Sequence, residues 1–183
     1  EYEVKRANEL ARSNAMILAL SKVAALLENS SNSELILDTL GSELQKLNLQ
    51  CAVVTIDPLE ETAAIRYVSL KPEILQMIEK LTDISVNNHV VPKRFWPGDR
   101  ILKEKVPVWY PNPRDIIRPM FPSVPQLVAN RIWKFVGIQP EGQICILPLV
   151  VADKLIGAMP IWGPDLQQAD SPVLAIFASQ VAG

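Results

Sequence analysis

The sequence is poor in the residues that most often build catalytic, metal or membrane-spanning segments. Among 183 residues there are two cysteines, one histidine and seven glycines. Two cysteines without a neighbouring histidine cannot form a zinc site of the usual spacing, and the glycines do not form a Gly-x-Gly-x-x-Gly phosphate loop. No uninterrupted apolar run approaches the roughly 20 residues that cross a bilayer. We therefore expect no metal, no nucleotide loop of this type and no direct membrane contact.

The composition favours one compact domain. Hydrophobic residues make up 49% of the chain, which is enough to bury a sizeable core, and the net charge is only −2. Because the chain starts with a charged stretch, it does not resemble a signal peptide. Since its first residue is Glu1 and not Met, we expect the chain to be a segment of a longer protein. We expect this segment to be cytoplasmic, whether or not the full-length protein is membrane-anchored.

The N-terminal residues 2–29 predict one long helix, because they contain no glycine or proline and their apolar side chains recur on one stripe. We interpret residues 1–29 as a separate N-terminal helix whose stripe contacts a partner chain, and residues 30–183 as the domain that follows it. The alternative is that the stripe only covers its own domain. The predicted dimer contacts are Leu10, Ile17, Leu20, Val23 and Leu27.

The next segment predicts a helix and a hairpin. Ser31 and Glu34 form a capping-box pattern that predicts a helix running to about Leu47. Strands are predicted at residues 51–56 and 63–70, and a short helix at 73–81.

The middle of the chain differs in composition. Eight of the fifteen prolines lie between residues 86 and 125. Three of the four tryptophans, Trp96, Trp109 and Trp133, lie between residues 86 and 142. From Lys93 to Lys134, nine basic residues face three acidic ones, a balance of +6. A disordered linker would hold fewer large apolar side chains, so we predict an ordered loop. Within it we predict helices at Pro97–Lys105 and Gln126–Phe135 and a strand at Val106–Tyr110.

The C-terminal 41 residues predict a hairpin followed by a helix. Two apolar runs flank Asp153 and Lys154, which is typical of two buried strands joined by a turn. Ser171 and Pro172 predict the N-cap and the first residue of the last helix. Cys51 and Cys145 both lie in apolar strand-like runs, so we interpret them as buried, reduced core thiols; a disulfide or a reactive thiol is the alternative.

The order of these elements, together with three short motifs, resembles a GAF domain, the sensory module of cyclic-nucleotide phosphodiesterases and bacterial signalling proteins. The motifs are the strand Ile144–Leu149 with its Pro-Leu ending, the strand opening Leu155-Ile-Gly157, and the helix ending Phe177–Ala182. The resemblance implies an α+β fold: a central antiparallel sheet with helices on its faces, a long N-terminal helix and a C-terminal helix. A PAS domain, the main alternative fold, usually lacks a second full helix before the first strand.

The resemblance also implies a function. It predicts a ligand-sensing regulatory domain of a larger bacterial-type signalling protein, such as a histidine kinase of a two-component system, a cyclic-dinucleotide enzyme or a transcription activator. In such a protein residues 30–183 are the sensory domain and residues 1–29 the signalling or dimerisation helix. The domain is not itself an enzyme, works beside other domains of the same polypeptide and forms a homodimer through its terminal helices. Two alternatives stay open: a ligand-free structural dimerisation module, and a small enzyme using Cys51 or Cys145.

The functional residues of the best-known family members are missing here. Phytochrome-type members attach a bilin to a cysteine usually followed by histidine, whereas Cys51 precedes Ala52 and Cys145 precedes Ile146. The Asn-Lys-Phe-Asp-Glu set of cyclic-nucleotide binders has no convincing equivalent, since Asn130, Lys134 and Phe135 match it only loosely. We therefore expect no bilin and predict no other cofactor.

The basic, aromatic middle segment is the candidate ligand site. Aromatic rings offer flat apolar walls, and arginines offer cationic forks for a carboxylate or phosphate. We predict a small anionic or aromatic ligand between this segment and the sheet; the alternative is that the tryptophans are core and the arginines pair with surface acids. The single histidine, His89, has no catalytic partner beside it and is predicted to be a loop residue, and scattered arginines do not favour nucleic-acid binding. The predicted ligand-binding residues are Trp96, Trp109, Tyr110, Phe121, Trp133, Arg94, Arg114 and Arg118.

Overall fold

The computed structural model describes residues 2–57, 59, 61–96 and 99–183. The first residue of the predicted signalling helix, Glu1, and the first two of the predicted helix Pro97–Lys105 lie outside the described residues. The described part of that second helix is shorter than predicted, since it runs from Asp99 to Glu104.

The described residues form seven α-helices, six strands and three short 3-10 turns. In chain order the helices and strands are α1 (Tyr2–Asn29), α2 (Ser33–Gln45), β1 (Gln50–Asp57), β2 (Thr62–Val68), α3 (Pro72–Thr82), β3 (Val90–Pro92), α4 (Asp99–Glu104), β4 (Val108–Tyr110), α5 (Pro113–Ile117), α6 (Gln126–Phe135), β5 (Ile144–Val151), β6 (Lys154–Trp162) and α7 (Ser171–Ala182).

The six strands form one antiparallel sheet in the order β3-β2-β1-β6-β5-β4. The two predicted hairpins, β1–β2 and β5–β6, lie side by side because β1 pairs with β6, where Cys51 faces Ile161. The edge strands β3 and β4 have three residues each, which leaves little free edge for pairing with another chain. The α+β fold class with a central antiparallel sheet is confirmed.

The sheet separates two apolar cores, because successive side chains of a strand point to opposite faces. On one face, Cys51, Cys145 and Ile161 pack with buried residues of α1, α2 and α7. On the other face, Ala52, Ile146 and the segment between β2 and β5 build a separate core. The helices at the two chain ends therefore lie on one side of the sheet, and the proline- and tryptophan-rich middle lies on the other.

Gly157 shows why the strand opening Leu155-Ile-Gly157 carries a glycine. This residue lies in β6 between β1 and β5, opposite Thr55 and Leu149. A Cβ atom built at this position would lie 2.3 Å from the backbone oxygen of Val54. The close approach of β1 and β6 thus depends on the missing side chain.

Two predicted helix caps are wrong in detail. At α2 the side chain of Asn32, and not of Ser31, accepts the hydrogen bonds, from the backbone N–H groups of Glu34 and Leu35. At the last helix, Ser171 is already helical and follows Asp170, whose carboxylate accepts a hydrogen bond from the backbone N–H of Gln167. The hydroxyl of Ser171 therefore does not cap α7, and it accepts a hydrogen bond from the indole N–H of Trp109 in β4.

Other boundaries in the middle segment also differ. The predicted strand Val106–Tyr110 is reduced to β4, and α5 and β3 were not predicted. These elements contain three to five residues, so they are too short to show a hydrophobic period in the sequence.

Helix α1 has two parts with different surroundings. Met16, Ala19 and Val23 are buried against the domain, whereas residues 2–11 are exposed. Within the described part of the chain, α1 is the one helix long and apolar enough to cross a membrane by length and composition, with a mean hydropathy of 1.4 over an 18-residue window. The sequence predicted that no uninterrupted apolar run is long enough to cross a bilayer. Helix α1 reaches that length because its apolar residues alternate with polar ones.

Candidate functional site

A cavity lies between the sheet and the middle segment. Its volume is about 130 Å³. Strands β1, β2, β5 and β6 form its floor, and α3, α5, α6 and the loops around them form its walls and roof. Its lining includes Ala52, Thr82, Trp96, Arg118, Phe121, Ala129, Trp133, Ile144, Ile146 and Trp162.

The cavity lining is almost entirely apolar. Among its described residues, polar side-chain atoms other than indole N–H groups belong to Thr82 and Arg118. The hydroxyl of Thr82 donates to the backbone oxygen of Ile78 at 2.7 Å and accepts from the N–H of Ile84 at 3.2 Å. Arg118 donates to the backbone oxygens of Phe121 and Val124, both at 2.6 Å. Both polar groups therefore already have partners.

The structure brings four of the eight predicted ligand-binding residues together at this cavity. They are Trp96, Phe121, Trp133 and Arg118. The sequence interpretation missed Trp162, whose indole N–H donates to the backbone oxygen of Val136 at 2.9 Å and whose ring also lines the cavity. Trp162 is the last residue of β6, and Pro160 two positions earlier faces the same cavity, so strand periodicity is the signal that could have found it.

The other predicted residues lie elsewhere. Trp109 packs against the core on the opposite face of the sheet, and its indole N–H donates to the hydroxyl of Ser171 at 3.0 Å. Tyr110 packs on the cavity-side core but is not part of the lining.

The remaining two arginines are not at the cavity either. The exposed guanidinium of Arg94 lies 4.8 Å from the centre of the Phe95 ring. Arg114 donates through Nη2 to the backbone oxygen of Ile138 at 3.3 Å, and its buried Nε has no acceptor among the described residues. The predicted set of arginines thus does not converge on one anion.

His89 supports the cavity wall from outside. Its ring stacks on Phe121 with 4.8 Å between ring centres and an angle of 17° between planes. Its Nε2 lies 3.3 Å from the backbone oxygen of Met120. The prediction that His89 is a loop residue agrees with its position just before β3, and the stack gives it a packing role.

The two thiols are on the wrong side of the sheet for a cavity ligand. Cys51 and Cys145 are buried in the core formed with α1, α2 and α7. Burial raises the pKa of each thiol to about 12, so both are protonated near neutral pH. Both face Ile161 from strands on either side of β6, so their Cα atoms lie about 10 Å apart, too far for a disulfide. The described residues contain no group of three or more His, Cys, Asp or Glu side chains placed to hold a metal.

Polar contacts connect the terminal helices. Arg12 of α1 donates to both carboxylate oxygens of Asp170, at 3.1 Å from Nε and 2.8 Å from Nη2. Lys22 of α1 contacts Glu43 of α2 at 3.3 Å. The contact of Arg12 with Asp170 and the bond from Trp109 to Ser171 connect the start of α7 to α1 and to the edge strand β4, respectively, and the contact of Lys22 with Glu43 connects α1 to α2.

The predicted dimer stripe divides into an exposed and a buried part. Leu10 and Ile17 are 63% and 50% exposed. Val23 is fully buried, and Leu20 and Leu27 pack partly against the core of their own domain. Val23 is therefore not available to a partner, because it already fills the core beneath α1.

No protein-family model matches the chain, and no curated protein matches it. Many solved structures do, at low sequence identity. The nlh2 GAF domain of A. aeolicus in an inactive state has a TM-score of 0.64 at 11% identity, covering 93% of this chain and 95% of that one. A phycocyanobilin-bound GAF domain of a cyanobacterial phytochrome has a TM-score of 0.60 at 14% identity, covering 91% of both chains. Residues 122 to 287 of a methyl-accepting chemotaxis protein give 0.59 at 13% identity, covering 90% and 93%. The chain has the fold of a GAF domain.

Proposed function

We propose that this chain is a ligand-sensing regulatory domain of a larger signal-transduction protein. The observation that carries the proposal is the cavity between the sheet and the middle segment. Sites for small molecules are typically concave, largely apolar and preformed. The similar structures from a phytochrome and a chemotaxis protein support a sensory role for this fold.

Strand β5 provides a route from the cavity to the C-terminal helix. Ile144 and Ile146 line the cavity, whereas Cys145 and Leu147 lie in the core that contains α7. A ligand that shifts β5 by contact with the first pair necessarily displaces the second pair, because the four residues are consecutive. The ion pair of Arg12 with Asp170 then links α7 to α1. A signal passed this way is a bias between two arrangements of packed helices.

A regulatory role fits the chemistry of the cavity better than an enzymatic one. Its described lining contains no carboxylate, thiol, histidine or lysine, so it offers no general base, and its one hydroxyl, that of Thr82, already donates to the backbone oxygen of Ile78. We propose likewise that no bilin is attached, because both thiols lie on the opposite face of the sheet.

Dimerisation through α1 is the second part of the proposal. Leu10 and Ile17 form an exposed apolar strip on this helix, since residues seven apart lie on the same side, and Leu18, Val4 and Tyr2 are further exposed apolar side chains around it. Burial of such a strip against a second copy would stabilise a dimer. The alternative function, a structural dimerisation module without a ligand, would keep this interface and leave the cavity unused.

A metabolite screen by thermal unfolding tests the sensory function. At least one small molecule should raise the unfolding midpoint of the wild-type chain and change the amide hydrogen exchange of α7. If a broad library that includes neutral, anionic and cationic compounds gives no shift, the sensory function is wrong and the structural module is favoured.

Light scattering tests the dimer separately. The double substitution Leu10→Gln and Ile17→Gln should lower the oligomeric state, because it removes the apolar strip without touching a buried residue. Leu59→Gln, which changes a leucine that is 94% exposed in the β1–β2 turn, is the control. An unchanged oligomeric state in the double variant would contradict dimerisation through α1.

A further inference from the structure

We propose that the cavity takes a neutral apolar molecule about the size of a single aromatic ring, and not an anion. The inference rests on the proposed sensory function, since it names the ligand class of the same site. It differs from the sequence-based hypothesis, in which the arginines of the middle segment made an anionic ligand equally acceptable.

The volume of the cavity favours a ligand with a single ring. The cavity volume is about 130 Å³. An engineered apolar cavity of about 150 Å³ in another protein stays dry and binds benzene. Pockets for drug-sized ligands are larger, at roughly 300–1,000 Å³. A one-ring hydrocarbon therefore fits without rearrangement, whereas a cyclic nucleotide or a tetrapyrrole requires the walls to move apart.

The charged group at the cavity gives little support to an anionic ligand. Arg118 is the only cationic side chain among the described lining residues. Three of its five N–H groups already donate, to Phe121 and Val124 as described and to Oε1 of Gln126 at 3.3 Å. Its guanidinium thus closes the loop between α5 and α6. An anion in the cavity would lose its hydration shell and gain at most a share of the two remaining N–H groups, which is unfavourable.

The aromatic walls of the cavity favour a ligand that is itself a ring. Trp96, Phe121, Trp133 and Trp162 present four aromatic side chains to one small volume. Aromatic rings prefer offset or edge-to-face packing against other rings, which gives a ring ligand an advantage over an aliphatic one of equal size. His89 holds Phe121 in place from behind, so this wall is preorganised.

Thermal unfolding with matched probes tests the ligand class. Toluene and benzoate share one ring and differ in charge, and 3′,5′-cyclic AMP adds a larger anion. At a concentration about 100-fold above its dissociation constant, toluene should raise the midpoint by roughly 5–10 °C. Benzoate and the cyclic nucleotide should leave it unchanged.

Substitutions show whether toluene binds in the cavity. Ala129→Leu places three more carbon atoms in the lining and should abolish the shift caused by toluene. Lys134→Leu inserts the same side chain on the exposed side of α6 and should retain it. If Ala129→Leu does not fold, Ala52→Val fills the floor of the cavity from β1, and saturation-transfer NMR with toluene measures binding to the wild-type chain directly.

Each outcome separates this inference from the proposed function. A larger shift with benzoate or the cyclic nucleotide than with toluene overturns the apolar ligand but leaves a sensory domain. An equal toluene shift in the wild type and Ala129→Leu overturns it as well, because toluene would then bind elsewhere. If toluene produces no shift and no NMR signal, the inference is wrong, and the proposed function then depends on the broad screen alone.

Discussion

Replacing Arg12 by methionine removes the link between α1 and the start of α7. Methionine keeps an unbranched apolar stem and a similar helix propensity, so the change removes chiefly the guanidinium group with its charge and hydrogen bonds. Arg12 is 18% exposed and Asp170 only 6% exposed in their side chains. The substitution therefore leaves a nearly buried carboxylate without its cation.

The expected cost follows from what Asp170 loses and what it keeps. Removing one partner of a fully buried ion pair costs about 3–5 kcal/mol. Asp170 retains the backbone N–H of Gln167 at 2.9 Å and lies at the N-terminus of α7, where the helix dipole favours a negative charge. Because these contacts offset part of the loss, we expect the free energy of unfolding to fall by about 2 kcal/mol.

Urea unfolding measures this change. With a denaturant dependence near 2 kcal/mol per molar, the midpoint should fall by about 1 M. Arg6→Met is the matched control, because Arg6 is exposed on the same helix, and it should lower the free energy of unfolding by less than about 0.5 kcal/mol. Equal losses in the two variants would refute the reasoning, since Asp170 would then be stabilised by its own helix and not by Arg12.

Two further predictions concern buried groups. Hydrogen bonds from Lys46 and Lys22 hold the pKa of Glu43 below its usual 4.5. Because the folded protein then binds fewer protons at Glu43 than the unfolded chain, its stability falls as the pH drops from about 4.5 through the lowered pKa. Glu43→Gln should flatten this fall in acid unfolding curves, and an unchanged slope would argue against a contribution from Glu43. Cys51 and Cys145, with pKa values raised to about 12, should not react with a thiol reagent at pH 8 until the chain is unfolded in urea, when both should react. Reaction of either thiol in the native protein would instead favour the enzymatic alternative.

The order of long elements could be predicted from the sequence, because hydrophobic periodicity over ten or more residues is a strong signal. Helices α1 and α6 and the β5–β6 hairpin have nearly the predicted bounds. The face to which each strand residue points could not be predicted for β4. A strand of three residues places Val108 and Trp109 on opposite faces, and only its pairing with β5 decides which one meets the cavity side.

The arginines of the middle segment show a different limit. A local balance of +6 indicated a site for an anion. In the fold, Arg114 and Arg118 instead donate to backbone oxygens, and Arg100 pairs with Glu104. Long irregular segments leave carbonyl groups without strand or helix partners, and the guanidinium group can satisfy several of them at once. The excess of positive charge in this segment therefore predicted an anionic ligand. In the fold, Arg114 and Arg118 instead satisfy backbone oxygens of the segment itself.

The energies of the cavity and of the helix contacts are of similar size, which makes a signal between them physically reasonable. A ligand shifts an equilibrium only by its difference in affinity for the two states, and a 100-fold difference corresponds to about 2.7 kcal/mol. Removing Arg12 is expected to cost about 2 kcal/mol, which includes the penalty of leaving Asp170 buried without its cation. A ligand that contacts Ile144 and Ile146 more favourably in one arrangement of β5 than in the other can thus weaken or strengthen the contact between Arg12 and Asp170. A much stronger connection between α1 and α7 would hold the helices in one arrangement whether or not the cavity is filled.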